Sequence, residues 1–231
     1  MELGITEFPV TTPPILTHVK YVAFLRSLPV HPSCLYFASE DDNVEEVKRI
    51  LRKNPNLDVN WKTPENGNGN TALIRACDEG HDSIVSIFLA HPAIDVNLKS
   101  VFGETPFAKA CGEGHTSCVR LLLKDSRVEV NEPTKDGRTP LWDAARNGHV
   151  DVIMWWIASG SEMNLGTPGH RKSVAIGEAK KEGKKEVVTL LERFKGDATK
   201  TRDEIRMELG ITGESPAPAP APAPLIFHSD R

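Results

Sequence analysis

Much of what specialised chemistry requires is scarce or absent in this chain. The four cysteines, Cys34, Cys77, Cys111 and Cys118, form no Cys-x-x-Cys pair, so neither a structural zinc cage nor a redox dithiol has its usual spacing. Three of them stand where a helix would take a small or apolar residue, which favours buried, reduced thiols. There is no Gly-x-x-x-x-Gly-Lys phosphate loop and no Gly-x-Ser-x-Gly nucleophile turn. No Asn-x-Ser/Thr glycosylation acceptor occurs, in keeping with an intracellular life. The chain carries no large charge of one sign. A formal net charge of −4 over 231 residues supplies no electrostatic pull toward nucleic acid or an anionic membrane. Long hydrophobic runs are missing too. The most apolar stretch, residues 15–28, holds His18, Lys20 and Arg26, and is too short and too charged to span a bilayer. The opening Met-Glu-Leu-Gly-Ile-Thr has neither the basic start nor the apolar core of a secretion signal. What remains, 39% hydrophobic and 26% charged, is the composition of a folded chain.

The chain is rich in periodicity. Thr71, Thr105 and Thr139 each open a segment Thr-(Ala/Pro)-(Leu/Phe)-x-x-Ala-x-x-x-Gly-His, and the pairs Gly80-His81, Gly114-His115 and Gly148-His149 keep the same register. Val85, Val119 and Ile153 continue it. A fixed period of this length marks a solenoid of stacked supersecondary units, an architecture that presents an extended surface and encloses no pocket. Within one unit the threonine hydroxyl is placed to cap a helix, and the glycine, free of Cβ, to end it. Ile84, Val85, Phe88 and Leu89 then form the buried stripe of a second helix, which Pro92 stops. Two such short helices cannot cover that stripe alone, so neighbouring units must.

The pattern closely resembles the ankyrin-repeat family. Thr105-Pro106-Phe107, Ala110-Cys111, Gly114-His115, Val119 to Leu123, Thr139-Pro140-Leu141 and the closing Asp58-Val59-Asn60, Asp95-Val96-Asn97 and Glu129-Val130-Asn131 carry the resemblance. It implies an all-α solenoid of about five helix-turn-helix units with β-turn fingers. The expected divisions are residues 33–67, 68–101, 102–135 and 136–169 for repeats one to four, and 170–212 for a degenerate fifth repeat with a C-terminal capping helix. In repeat one Ser33-Cys34-Leu35-Tyr36 takes the Thr-Pro-Leu-His place, and Asp42-Asn43 replaces Gly-His. The resemblance implies that His81, His115 and His149 tie adjacent loops together by hydrogen bonds. They are spaced a whole repeat apart, too far for one metal ion to reach all three. It also implies that Asn97 and Asn131 fit a pattern open to hydroxylation, beside their role in the turn.

Residues 1–32 form an N-terminal flank. Ile15, Val19, Val22 and Leu25 predict a helix over about residues 14–28, either a cap on the first repeat or a docking helix for another protein. Thr201-Arg202-Asp203-Glu204 reads as a capping box that starts a last helix. Met207 to Thr212 repeats Met1 to Thr6 residue for residue, which favours descent from a longer duplicated array and, as an alternative function, a remnant of a larger protein with no partner of its own. The Pro-Ala alternation within residues 213–231 predicts an extended, disordered tail.

The family resemblance implies protein recognition, as scaffold, adaptor or inhibitor, through the turn tips and a concave groove. Carried onto this chain, the groove row holds Phe37, Glu40 and Asp41, then Arg75, Asp78 and Glu79, then Lys109 and Glu113, then Asp143, Arg146 and Asn147. The turn tips add Trp61, Phe102, Glu104 and Arg138. Phe102 stands where the family usually has Asp, and either meets a partner or folds back on Val101; Trp61 has the same two readings. The acidic lean of the N-terminal end fits a partner with a basic segment. Trp155 and Trp156 read as packing residues, and Trp142 as partly buried. The expectation is an intracellular monomer with a protein partner, no cofactor, no metal, no nucleic acid and no membrane. An enzyme or nucleic-acid binder is the less favoured alternative. Lys180-Lys181 and Lys184-Lys185 are interleaved with Glu178, Glu182 and Glu186, the mark of a solvated helix.

Overall fold

The computed structural model describes residues 30–64, 68–166 and 174–211. Among them the chain forms eleven helices and no strand: α1 Ser33–Glu40, α2 Val44–Lys53, α3 Ala72–Glu79, α4 Asp82–Leu89, α5 Pro106–Glu113, α6 Thr116–Leu122, α7 Pro140–Asn147, α8 Val150–Ser159, α9 Ala175–Lys181, α10 Lys185–Gly196 and α11 Ala198–Glu208. All lie in the unit Pro32–Arg231. The odd-numbered helices α1 to α9 stack in one row, the even-numbered α2 to α10 in a second, and each pair is joined by a tight turn. This is the arrangement of an ankyrin solenoid.

Local chemistry explains where each helix starts and stops. The Oγ atoms of Thr71, Thr105 and Thr139 accept hydrogen bonds from the backbone N–H of Ile74, Ala108 and Trp142 at 3.1, 3.1 and 3.2 Å, satisfying donors that the first turn leaves open. Gly80 and Gly114 end α3 and α5 at φ 82° and 81°. A Cβ on Gly80 would stand 2.6 Å from the His115 ring and one on Gly114 2.5 Å from the His149 ring, so both backbone twist and contact demand glycine. Those rings reach back across the stack. The Nε2–H groups of His81, His115 and His149 donate to the carbonyls of Glu40, Asp78 and Gly112 at 3.1, 2.9 and 2.8 Å. A second ladder runs through the asparagines. Asn60 donates to Ala93 O and accepts from Asp95 N, while Asn97 repeats this with Arg127 O and Glu129 N, and Asn131 with Glu162 O and Asn164 N.

The first unit solves its missing glycine with Asp42, which takes φ 51°, and with Asn43, whose side chain caps α2 by accepting from Glu46 N at 3.1 Å. Aspartate and asparagine tolerate the left-handed region best after glycine. The core between the two rows is apolar: Leu35, Val47, Ile50, Leu73, Ile84, Val85, Phe88, Phe107, Leu122, Leu141, Ile153 and Trp156 are all buried to 1% exposure or less. Phe107 and Trp156 meet edge to face, centroids 4.9 Å apart, a geometry worth about 1 kcal/mol beyond the burial itself. Cys77, Cys111 and Cys118 are free, wholly buried thiols in the same core, and burial pushes the Cys118 thiol up to about 12.

Three expectations change. α11 begins at Ala198 behind Asp197, whose side chain accepts from Lys200 N at 2.9 Å. Thr201 therefore lies buried inside the helix and is no cap, because Asp197 reaches the open amides a turn earlier. Trp142 is buried more deeply than expected, 5% exposed, under the guanidinium of Arg146 at 5.3 Å from its ring. Trp155 is only half-buried, with Arg120 3.9 Å above its ring, whereas Trp156 is fully enclosed. α11 lies against α8 and α10, and Arg202 and Arg206 donate to Ile157 O and Ala158 O at the last turn of α8, where open carbonyls favour cations. Met207 to Ile211 closes α11, with Gly210 at φ 66° and Ile211 N donating to Arg206 O at 2.8 Å. The other copy of that hexapeptide, the helix expected over 14–28 and the Pro-Ala tail lie outside the described residues.

Candidate functional site

The odd-numbered helices place equivalent residues in register along one face. Phe37, Arg75, Lys109 and Asp143 occupy one position of α1, α3, α5 and α7; Glu40, Asp78, Gly112 and Arg146 occupy the next outward position. Between successive helix pairs the chain makes a finger. Its turns are closed by Ser100 N to Glu104 O at 2.9 Å and Thr134 N to Arg138 O at 2.9 Å, and neighbouring fingers are joined by Val101 N to Asn68 O at 2.9 Å and Lys135 N to Phe102 O at 3.0 Å. Side chains add to these bonds: Lys62 Nζ donates to Lys99 O at 2.8 Å, and Lys99 pairs with Glu132.

Seven of the predicted site residues, Arg75, Asp78, Glu79, Glu104, Lys109, Arg138 and Asp143, meet in a single relay of ion pairs. Arg75 reaches Glu40 at 2.6 Å, Asp78 at 2.9 Å and Glu79 at 2.8 Å. Lys109 bridges Asp78 at 3.3 Å and Glu104 at 3.4 Å. Arg138 continues to Glu104 at 4.0 Å, Asp136 at 3.2 Å and Asp143 at 3.0 Å. Four units are thus joined through three cations and six carboxylates, and the carboxylates of Asp78, Glu104 and Asp143 are hidden at least as well as the cations. Arg75 and Lys109 retain 22% and 21% side-chain exposure against 36% and 40% for Glu40 and Glu79.

Charge and burial compete along the relay. Burial pulls the Lys109 ammonium down, but the carboxylates of Asp78 and Glu104 outweigh it and hold the group above its ordinary value. Burial likewise opposes the charge on Arg75, and the hydrogen bond it donates to Glu40 leads the contributions that raise it. Asp143 goes the other way. Burial lifts its carboxyl to about 6 against the pull of Arg138, with Glu104 and Asp136 adding repulsion.

Several predicted residues are taken up by the fold itself. Asn147 donates to Gly112 O at 2.7 Å, sharing that carbonyl with His149. Glu104 accepts from the Ser100 hydroxyl at 3.3 Å besides its ion pairs. Arg146 is exposed beside Trp142, Glu113 is exposed at the end of α5, and Trp61 is half-buried. Phe102 stands out on its finger tip at 52% exposure and does not fold away. Phe37 is exposed more still, at 57%, edge to face with Tyr36 at 5.5 Å. Phe37 was placed in the groove row by register, and it is the one aromatic ring in a position otherwise filled by Arg75, Lys109 and Asp143.

Among the described residues, no group of three or more His, Cys, Asp or Glu side chains is arranged to hold a metal ion. A shallow depression of about 360 Å³ lies on the opposite side, between α4 and α6, lined by Leu89, Leu121, Lys124 and Arg127 among others. No helix among the described residues is long and apolar enough to cross a membrane. A family model of ankyrin repeats, in three copies, matches residues 19–100 and 93–167. No curated protein matches the chain.

Proposed function

The chain belongs to the ankyrin-repeat family, and on that premise we propose that it is a protein-recognition module, a scaffold, adaptor or inhibitor, that binds its partner across the faces of α1, α3, α5 and α7 and the adjoining finger tips. Protein–protein interaction is the general role of such arrays. The repeat boundaries 33–67, 68–101, 102–135, 136–169 and 170–212 are proposed as its structural units. One observation supports the choice of face: Phe37 and Phe102 are left open to water beside a charged row whose members already satisfy one another. Exposed aromatic rings on a rigid frame dominate interface energetics. The same reading makes the chain a binding protein and no enzyme, since the relay spends its titratable groups on holding units together. A protein partner inside the cell is proposed, with neither nucleic acid nor membrane as the target, and the protein acting as a monomer.

The test is affinity purification from the native source with wild type and a Phe37→Ser/Phe102→Ser variant of matched unfolding midpoint. A protein recovered by wild type and lost by the variant supports the reading. Equal recovery by both moves the site off this face. Arg138 and Glu104 are poor choices for such a variant, because changing either disturbs the inter-unit relay as much as the surface.

A further inference from the structure

The second row of helices forms grooves that the molecule covers at one end and leaves open in the middle. Counted from the N-caps His81, His115, His149 and Lys184, Ser86 and Leu89 of α4 stand where Met154 and Ile157 stand in α8. On the same count Leu121 and Lys124 stand where Leu190 and Arg193 stand in α10. α11 packs against both α8 and α10. Ile157 and Leu190 are 1% and 6% exposed there, whereas Leu89 and Leu121 remain half-buried in the depression between α4 and α6.

α11 shows what such a groove holds. Its Ile205 is buried to 1% exposure, and the neighbouring Glu204 pairs with Arg193 at 2.6 Å. Its Arg202 donates to Ile157 O at 3.2 Å. In the open groove that last task is already done within the array: Arg127 donates to Leu89 O at 2.8 Å, and Asp125 answers its charge at 2.6 Å. Lys124, in the place of Arg193, is exposed and has no ion pair among the described residues. The open groove thus offers an apolar floor and one unanswered cation. The next groove along is closed differently. There Arg120 of α6, the counterpart of Ser86, lies 3.9 Å over the Trp155 ring. A serine at position 86 is what leaves the α4–α6 depression open.

We propose that the α4–α6 groove is a second binding surface, which takes an amphipathic helix of a partner protein, apolar where it faces Leu89 and Leu121 and carrying a carboxylate that pairs with Lys124. A helix docks in a groove through such an apolar face, as α11 does on this same row. Charge decides between occupants. The chain's own stretch 15–28 has apolar residues at helical spacing, but it holds His18, Lys20 and Arg26 and no carboxylate, which sets like charges against Lys124. A second copy's α11 already has Ile205 buried. The surface lies on the opposite side from Phe37 and Phe102, so it stands apart from the recognition reading above.

The experiment pans a phage library of single α-helices, randomised on one face, on the full chain and measures synthetic copies of the enriched helices by fluorescence anisotropy. The expected consensus places Asp or Glu beside an apolar residue. Ser86→Arg, which installs the side chain that closes the neighbouring groove, should weaken binding about tenfold or more. Lys124→Glu should weaken it about fivefold. Both positions are exposed, so the urea midpoints of these variants should match wild type. The Phe37→Ser/Phe102→Ser variant should bind the helices as wild type does. Enriched helices that are basic, or a set that all bind Ser86→Arg undiminished, overturn the inference. So does a library that yields no helix, the result expected where residues 15–28 or a second copy cover the groove. These failures leave the recognition reading standing, which fails separately, when wild type and the double Phe variant recover the same proteins from the native source.

Discussion

Replacing Gly114 with alanine should cost about 3 kcal/mol, roughly three times the cost of the same change at Gly137. The two glycines share a backbone state, φ 81° and 82°. An L side chain there costs about 1–2 kcal/mol, offset in part by about 0.4–1 kcal/mol from stiffening the unfolded chain. That leaves about 1 kcal/mol for each. Their surroundings differ. An added Cβ at Gly137 meets no atom within 4 Å, but at Gly114 it would stand 2.5 Å from Nδ1 and 2.6 Å from Cε1 of His149. The ring has to leave, surrendering its 2.8 Å bond to Gly112 O and its contact with the α5–α6 turn. A lost hydrogen bond costs about 1 kcal/mol and the displaced ring about as much again. Urea unfolding followed by circular dichroism and tryptophan fluorescence measures both variants. With a slope of about 2–3 kcal/mol per molar, the Gly114→Ala midpoint should fall by about 1–1.5 M and that of Gly137→Ala by about 0.5 M. In a His149→Ala background the Gly114→Ala cost should shrink to about 1 kcal/mol, a coupling of about 2 kcal/mol. Equal costs at the two glycines, or strict additivity of Gly114→Ala with His149→Ala, would refute the steric argument.

Asp143 should make stability fall as pH rises. Its folded-state value of about 6 lies above the ordinary 3.8, so the protonated form stabilises the fold below pH 4 and that contribution is lost as pH climbs through 6, about 2–3 kcal/mol in all. Asp143→Asn should flatten the difference between urea midpoints taken near pH 4 and near pH 7, and an unchanged slope would contradict the burial argument. The adjacent tryptophans should separate sharply: Trp156→Ala costs about 4 kcal/mol by emptying the site against Phe107, and Trp155→Ala only about 1 kcal/mol, read from the same urea curves. Ellman titration of the native protein should find one fast thiol, Cys34, and all four only in denaturant, because Cys77, Cys111 and Cys118 have no exposure.

The parts of the fold that were legible in the sequence are those that repeat. A threonine that caps, a glycine that turns and a histidine that reaches back do the same local task in every unit, so one period is enough to read α3 to α8. The first unit was harder because Asp42 and Asn43 perform by side-chain chemistry what glycine does by lacking one. The α11 start was misplaced because two capping residues, Asp197 and Thr201, stand four apart and either could open a helix; the bond from Lys200 N to Asp197 starts it at the earlier one.

The candidate site was legible as a row and illegible as a circuit. Register puts Arg75, Lys109 and Asp143 on one face, but which carboxylate each cation meets depends on side-chain reach across units, and no single-period pattern encodes that. Once those pairs are made, most of the row ceases to be available. Arg75, Lys109, Glu104 and Arg138 then carry stability more than selectivity, since freeing any one of them for a partner leaves opposite charges half-buried and unbalanced. Selectivity falls instead to what the circuit leaves over, the rings of Phe37 and Phe102 and the exposed carboxylates of Asp41 and Glu113. A face built this way can hold its shape while those few positions change, and for that reason substitutions at Phe37 and Phe102 separate binding from folding where substitutions in the relay do not.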